Sequence, residues 1–329
     1  MASESSDTGL VRNLTLLDVV MVGVAAMIGG AIFVLVGPGM AEAGPALMIA
    51  FLINGVITMF TALTYAELSS VLPDTGGGYR WVREGLPRPN SFLSGWMSWF
   101  AHAIAGSLYA VAFASFFAHL LSITNLVQSS PLLEKGIAAL AIAIFTFINV
   151  RGTSPTSKVG NAITITQITI IGLLIVGALV AMVFTNPSWS DNFSNFFPKG
   201  MSGLVIAMGL TFIAFEGYEV IAQTGNELKN PKKNIPRAIL ISLCAVIAIY
   251  ILFTFAFIGG LSSEKGQPSW EFIGGLGEIG IIEAAKDFLP FGALIVIAGG
   301  LVSTLAALNA TTYSSSRVSY AMGAHYNLP

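Results

Sequence analysis

Eight apolar stretches, each near or above twenty residues in length, restrict how this chain can fold more than any other feature of its sequence. A helix needs about 20 mainly apolar residues to cross the hydrocarbon core of a bilayer. Only 10% of the residues are charged, whereas an average soluble domain has about 25%. We therefore expect an all-α polytopic membrane protein with a single transmembrane domain over residues 1–329. Its spans are predicted at about 16–37, 44–69, 91–122, 133–150, 160–184, 200–225, 237–261 and 290–324.

The basic residues predict the orientation of these spans, because loops rich in Lys and Arg stay in the cytoplasm. With eight spans, eleven of the fifteen basic residues fall on one side. That side holds Arg12, Arg80, Arg83, Arg88, Arg151, Lys158, Lys229, Lys232, Lys233, Arg237 and Arg317, and the other holds Lys135, Lys199, Lys265 and Lys286. Both termini lie on the first side. We therefore expect a multi-pass plasma-membrane protein with cytoplasmic termini.

Several functional classes do not fit the sequence. A net charge of −2 without a basic stripe argues against a nucleic-acid partner, which leaves membrane lipid and a small substrate, with the oligomeric state open. His102 and His119 share the third span, but no Cys or acidic residue stands at ligand spacing from them. A packing or interfacial role is therefore expected for both histidines rather than metal binding. Because no His, Asp or Ser constellation shares one depth, we expect neither an enzyme nor a cofactor.

Two adjacent glycines interrupt the first span near its middle, in the segment from Met27 to Ala31. Each glycine weakens a helix by roughly 1 kcal/mol relative to Ala. Backbone that leaves the helix inside a membrane must be satisfied by protein, water or a ligand. Gly29 and Gly30 therefore mark either a close helix contact or a place where amide groups meet a ligand.

The sixth span has a second interruption, in the segment from Phe212 to Glu219, where Gly217 stands between two glutamates. An acidic residue at the centre of a membrane helix costs about 2.5–3.5 kcal/mol, so Glu216 and Glu219 should face a cavity or protein. Corresponding broken helices in two halves of a chain indicate a secondary transporter built from inverted repeats. Freed amides favour a carboxylate and freed carbonyls favour an ammonium, which together suit a zwitterionic amino acid.

The chain resembles the amino acid–polyamine–organocation transporters, and most of all the prokaryotic permeases that are similar to cationic amino acid transporters. The resemblance covers essentially the whole chain. It is carried by residues 27–33, 65–68, 73–81, 212–219, 227–231, 235–238 and 317–322. It implies a fold of five plus five helices in inverted repeats, with the first and sixth helices broken. The family fold has ten core helices and this chain ends after the eighth, so the second repeat is expected to be incomplete. A non-transporting, amino-acid-binding fragment or sensor is the alternative function.

The same resemblance implies a substrate site in the backbone of the two breaks. The amide groups of Gly29, Gly30 and Ala31 would bind the substrate carboxylate. The expected substrate-binding set is Met27, Ile28, Gly29, Gly30, Ala31, Phe212, Ile213, Ala214, Phe215 and Glu216.

The carbonyl groups that would bind the substrate ammonium belong to Met27, Ile213, Ala214 and Glu216. Many relatives carry an aromatic gate in the sixth helix. Here Ile213 takes that position, with Phe212 and Phe215 nearby, so the gate residue is left open. Neutral and cationic amino acids both remain open as substrates.

Some relatives place a lysine in the fifth helix, where it binds and releases a proton in place of sodium. Gln167 stands at that position here, and an amide does not titrate. Sodium, a proton and exchange without an ion therefore all remain open. The candidate coupling-ion residues are Gln167, Glu219, Asn309 and Thr312.

Overall fold

The structure is a computed structural model that describes residues 12–73, 76–123, 130–151, 153–262 and 267–328. In these segments the regular elements are helices. One isolated parallel bridge, between Leu14 and Leu228, lies outside them. The helices are α1 (Leu16–Ile28), α2 (Ala31–Val34), α3 (Val36–Ala43), α4 (Leu47–Val71), α5 (Gly78–Gly85), α6 (Arg88–Ile123), α7 (Pro131–Val150), α8 (Thr153–Phe184), α9 (Gly200–Thr211), α10 (Glu219–Ala222), α11 (Pro231–Gly260), α12 (Ser269–Gly275), α13 (Gly280–Phe288) and α14 (Gly292–Ala324).

Eight helical segments of the described chain are long and apolar enough to cross a membrane, which confirms the all-α polytopic fold class. They are Leu16–Val34, Val36–Val71, Arg88–Ala118, Pro131–Val150, Ser157–Phe184, Gly200–Ala222, Pro231–Gly260 and Gly292–Ala324. The second segment begins at Val36 instead of residue 44, and the seventh begins at Pro231 instead of residue 237. Both earlier starts have a proline in the first turn, Pro38 in α3 and Pro231 in α11, where a missing N–H costs the helix nothing.

The first helix is the centre of the bundle. α1 packs against α8, α11, α14 and the short α10, and Met27 and Ile28 at its end are almost completely buried. The outer helices α4, α7 and α8 expose large apolar side chains such as Phe60, Leu140 and Phe184. An exposed apolar belt around a buried central helix is the surface expected of a protein whose solvent is lipid.

Two asparagines fix the segment between α8 and α9 to the end of α11. Asn192, buried, donates to the carbonyls of Ile258 and Leu261 at 3.0 and 3.1 Å and accepts the Ser269 N–H at 3.0 Å. Asn186 also donates to the Leu261 carbonyl, at 3.0 Å. These bonds satisfy carbonyls that the end of a helix leaves without intrahelical partners.

Candidate functional site

The first break lies between α1 and α2. α1 ends where the Gly29 N–H donates to the Ala25 carbonyl at 3.1 Å, and Gly29 then takes a φ of 43°, a conformation that favours glycine. The next three amides, those of Gly30, Ala31 and Ile32, donate no hydrogen bond to any residue within the described ranges. Such N–H groups are the complement of an anionic oxygen.

The second break lies between α9 and α10. Residues Phe212–Phe215 form a 3-10 turn, Glu216 is extended, and Gly217 has a φ of 118°. A Cβ atom on Gly217 would stand 2.8 Å from the carbonyl carbon of Ala26 and 3.0 Å from the amide nitrogen of Met27. The two breaks are thus in direct backbone contact, and only glycine allows that approach.

A cavity of about 270 Å³ opens beside the second break, between α1, α6 and α14; we call it the break cavity. Ala26 of α1 lines it, whereas Gly29, Gly30 and Ala31 of the first break do not. Its polar lining side chains are those of His102, Tyr109, Glu216, Glu219 and Thr311. The lining residues in the described part of the chain include two carboxylates and neither Lys nor Arg. The cavity therefore carries negative charge in a region where uncompensated charge is costly.

The residues of the expected substrate-binding set are distributed unequally around this cavity. The side chains of Ile213 and Glu216 line it, and a Cβ on Gly29 would touch the ring of Tyr109, another lining residue, at 2.9 Å. Met27, Ile28, Ala214 and Phe215 turn their side chains into the core, so only their backbone is positioned to meet a ligand.

The three candidates for the gate are separated by the structure. Phe215 packs in the core, with its ring centroid 6.3 Å from that of Phe51 and 5.7 Å from that of Tyr250. Phe212 is exposed and is not a lining residue of the break cavity, whereas Ile213 is one. Ile213 is therefore the one of these three side chains that lines the cavity.

Several side chains of this site escaped the sequence reasoning, among them Tyr109 and Thr311 of the cavity lining. The hydroxyl of Tyr250 lies 3.4 and 3.3 Å from the carbonyls of Met27 and Ile28, so it stabilises the end of α1. A tyrosine in the middle of an apolar span was the available signal, since a buried hydroxyl needs a partner. His102 is another: it lines the break cavity, with its Nε2 3.6 Å from Oε1 of Glu219.

A second cavity of about 390 Å³ lies between α6, α7 and α14; we call it the hydroxyl cavity. His102 and Thr311 line both cavities and stand between them. The hydroxyl groups that line the second cavity belong to Ser107, Thr146, Thr311, Thr312, Ser315, Ser316 and Ser319.

The position of Gln167 follows from the packing of α8 against α14. Gly160 faces Asn309, and Ile170 faces Gly299, so the two helices are antiparallel and Gln167 lies beside residues 302–303. Asn309 is about seven residues further along α14, or about 10 Å at 1.5 Å per residue. Gln167 and Asn309 therefore do not meet.

The four candidate coupling-ion residues do not come together in one place. Gln167 is buried, and neither amide atom has a hydrogen-bond partner within the described chain. The neighbouring Ser303 is also buried, and its Oγ has no hydrogen-bond partner there either. Asn309 also has an unpaired carbonyl oxygen. Thr312 lines the hydroxyl cavity and Glu219 lines the break cavity.

One end of the bundle is closed by contacts between the first, sixth and eighth spans. The Leu14 N–H donates to the Glu227 carbonyl at 2.9 Å, and the Lys229 N–H donates to the Leu14 carbonyl at 3.0 Å. The fully buried carboxylate of Glu227 accepts from Arg317 at 2.7 and 3.2 Å and from the Tyr313 hydroxyl. We call this end of the bundle, which holds Arg80, Glu227, Lys229, Arg317 and His325, the basic end.

These features define a helical membrane protein in which two broken spans touch through their backbones, beside a largely apolar cavity that holds two glutamates. The amino acid permease family model matches residues 14–329. The chain is 31% identical over 334 residues to the methylthioribose transporter of Bacillus subtilis, with 96% of this chain and 70% of the relative covered. It is 31% identical to the serine/threonine exchanger SteT of Bacillus subtilis (99% and 71% covered). It is 29% identical to the vacuolar cationic amino acid transporter 4 of Arabidopsis thaliana (91% and 51% covered).

The chain belongs to the amino acid permease family. This match confirms the resemblance to amino acid–polyamine–organocation transporters. It also confirms that the chain is not an enzyme, because the family and these relatives are permeases and transporters.

Proposed function

We propose that this protein transports an amino acid across the plasma membrane by alternating access, with the substrate held between the breaks of the first and sixth spans. The observation that carries the proposal is the backbone contact between Ala26 and Gly217, together with three amides of the first break that have no acceptor among the described residues. An opened backbone at mid-membrane depth needs a polar partner, and a permeant zwitterion supplies one.

The substrate carboxylate is proposed to lie on the amides of Gly30 and Ala31, with Ile32 as the third donor. All three residues follow the break directly and have no intramolecular acceptor within the described ranges. Charge-assisted hydrogen bonds from backbone amides to a carboxylate are roughly twice as strong as neutral ones. These bonds offset the loss of hydration of the carboxylate inside the membrane.

The substrate ammonium is proposed to lie on carbonyls of the second break, those of Ala214 and Glu216, with Ile213 covering it. The Met27 carbonyl was also expected from the sequence to bind the ammonium. The Tyr250 hydroxyl lies 3.4 Å from this carbonyl and 3.3 Å from the Ile28 carbonyl. A hydroxyl has one proton to donate, so one of these two carbonyls remains available to the ammonium at any moment.

The charge of the break cavity restricts the substrate side chain. Glu216 accepts no hydrogen bond from the described residues and Glu219 lies beside it, with neither Lys nor Arg among the lining residues described. Like charges brought together in a site of low dielectric repel strongly. The proposed substrates are therefore neutral and cationic amino acids, and aspartate and glutamate are rejected.

The basic end is proposed to face the cytoplasm, as the positive-inside rule requires. The two breaks, five spans apart, would then occupy equivalent places in two repeats of opposite orientation. Access from the cytoplasm requires the contact of Glu227 with Arg317 and Tyr313 to part. A coupling ion is proposed to accompany this cycle, either sodium at the unpaired oxygens near Gln167 or a proton at Glu219.

Thermal unfolding of the purified protein with each of the twenty amino acids tests the site. A ligand at 100 times its dissociation constant adds about 2.7 kcal/mol to the free energy of unfolding. Gly30→Val should abolish that shift, because a side chain there meets Thr304 at 3.0 Å and covers the free amides. Gly172→Val is the matched control, since nothing lies within 4 Å of that glycine.

Two results would contradict the proposal: no shift with any amino acid, or an equal shift in the Gly30→Val variant. Uptake into liposomes that contain the protein separates transport from binding alone. Binding without uptake would favour the sensor alternative.

A further inference from the structure

His102 has a defined tautomer that the proposed function does not yet use. Its Nδ1 lies 2.6 Å from the backbone carbonyl of Ser98. A carbonyl oxygen only accepts hydrogen bonds, so Nδ1 carries a proton. The other nitrogen, Nε2, is then the group whose protonation state is variable. The side chain is 7% exposed, which leaves bulk water little part in deciding that state.

Nε2 of His102 faces a carboxylate. It lies 3.6 Å from Oε1 of Glu219 and has no hydrogen-bond partner in the described chain. The other oxygen of Glu219, Oε2, accepts the N–H of Gly217 at 2.8 Å. Without a proton, a lone pair on Nε2 would oppose a carboxylate oxygen. One proton between them converts this repulsion into a hydrogen-bonded ion pair.

Other titratable side chains surround the pair. Glu216 lines the same cavity, and Tyr109 from α6 lies within electrostatic range of both carboxylates. Tyr65 from α4 and Tyr218 from the second break lie within electrostatic range of Glu219. α7 and α14 contribute hydroxyls and apolar groups to the surroundings of His102. No lysine or arginine among the lining residues competes with the proton.

We propose that His102 and Glu219 bind one exchangeable proton between them, and that this proton and the substrate ammonium compete for the site. The inference rests on the proposed function. The N–H of Gly217 donates to Oε2 of Glu219 at 2.8 Å. Gly217 directly follows Glu216, whose carbonyl is one of the proposed ligands of the ammonium. An ammonium on that carbonyl therefore adds positive charge next to Glu219 and releases the proton. The amino acid and the proton then bind in alternation, as the two partners of an exchange.

The hydroxyl cavity lies on the other side of His102 from the break cavity. His102 stands between the two cavities, and from it a row of hydroxyls continues along α14 through Thr312, Ser315 and Ser319. Ser319 is two residues beyond Arg317 of the basic end. The hydroxyls of Thr312 and Ser319 donate to carbonyls of their own helix, at 2.7 and 3.0 Å, and their oxygens remain acceptors for water.

The pH dependence of substrate binding tests the proposal. We expect the dissociation constant of the amino acid to rise on acidification between pH 8 and pH 5, by up to about tenfold per pH unit for one linked proton. His102→Gln should flatten this dependence, and so should Glu219→Gln. His325→Gln is the control, because His325 lies at the basic end beside Arg80, and it should keep the wild-type dependence.

A second measurement does not depend on the variants being stable. Calorimetry of amino-acid binding to the wild-type protein in two buffers of different ionisation enthalpy counts the protons released, and we expect a count near one at pH 6.5. Binding with no proton released, or an unchanged pH slope in His102→Gln, overturns the inference and leaves the substrate site intact. Failure of every amino acid to bind at any pH overturns the proposed function itself.

Discussion

Replacing Gly217 with alanine tests the contact between the two breaks. Its φ of 118° is one that residues with a Cβ rarely adopt, and such backbone strain costs about 1–3 kcal/mol. The added Cβ would also stand 2.8 Å from the Ala26 carbonyl carbon, where ordinary contacts begin at 3.4 Å. The breaks must therefore separate by about 0.6 Å, and overpacking of this kind costs about 1–3 kcal/mol. We expect the free energy of unfolding to fall by about 2–6 kcal/mol.

Two other glycines separate the causes of this effect. Gly200 also has a positive φ, of 61°, but nothing lies within 4 Å of its Cβ position, so Gly200→Ala measures backbone strain alone. Gly209, in the interior of α9, has the same open space without a positive φ. Gly209→Ala should raise stability by about 0.4–1 kcal/mol.

The assay is denaturant unfolding of each purified variant, together with amino-acid binding to its folded form in the absence of denaturant. Gly217→Ala should lose more stability than Gly200→Ala and should bind substrate at least about tenfold more weakly, since a misplaced site loses more than 1.4 kcal/mol. A Gly217→Ala variant as stable as Gly209→Ala, with normal binding, would refute the idea that the breaks depend on this contact.

Three further substitutions test other parts of the structure. Glu227→Ala leaves the Arg317 guanidinium partly buried without its carboxylate and should cost about 3–5 kcal/mol in denaturant unfolding, whereas the double variant with Arg317→Met should recover part of that loss. A double variant whose loss equals the sum of the two single losses would show that the residues are not coupled. Asn192→Ala removes three hydrogen bonds and should lower the free energy of unfolding by about 2–4 kcal/mol, and a change below 1 kcal/mol would contradict its anchoring role. Gln167→Leu removes two buried amide atoms that have no partner among the described residues, and it should raise the free energy of unfolding of the sodium-free protein by about 1–2 kcal/mol. A lower melting temperature of the variant would mean that the amide already has hydrogen-bond partners.

The membrane spans and their two breaks were readable from the sequence because lipid leaves few alternatives. An apolar run of twenty residues has to be helical in a bilayer, and Gly29 or Glu216 inside such a run has few explanations. The starts of the second and seventh spans were predicted six to eight residues late, because a proline in sequence can belong either to a loop or to the first turn of a helix, and Pro38 and Pro231 stand in first turns.

The pairing of side chains across the bundle could not be read in the same way. Glu227 and Arg317 are 90 residues apart, and no local pattern joins them. His102 was expected to pack or to lie at an interface, and only the crossing of α6 over the second break brings it to Glu219. A rise of 1.5 Å per residue fixes depth along one helix, but the rotation of each helix about its axis depends on tertiary packing.

Substrate protection of a cysteine at position 213 tests the central claim most directly. Cys244 is the sole cysteine, so Cys244→Ser gives a background without thiols in which Ile213→Cys can be labelled with a maleimide. An amino acid at 100 times its dissociation constant should slow labelling by up to about 100-fold, while the exposed control Ser188→Cys should label at one rate with or without it. Equal labelling of position 213 in the presence and absence of a bound amino acid would show that the substrate does not lie at the breaks.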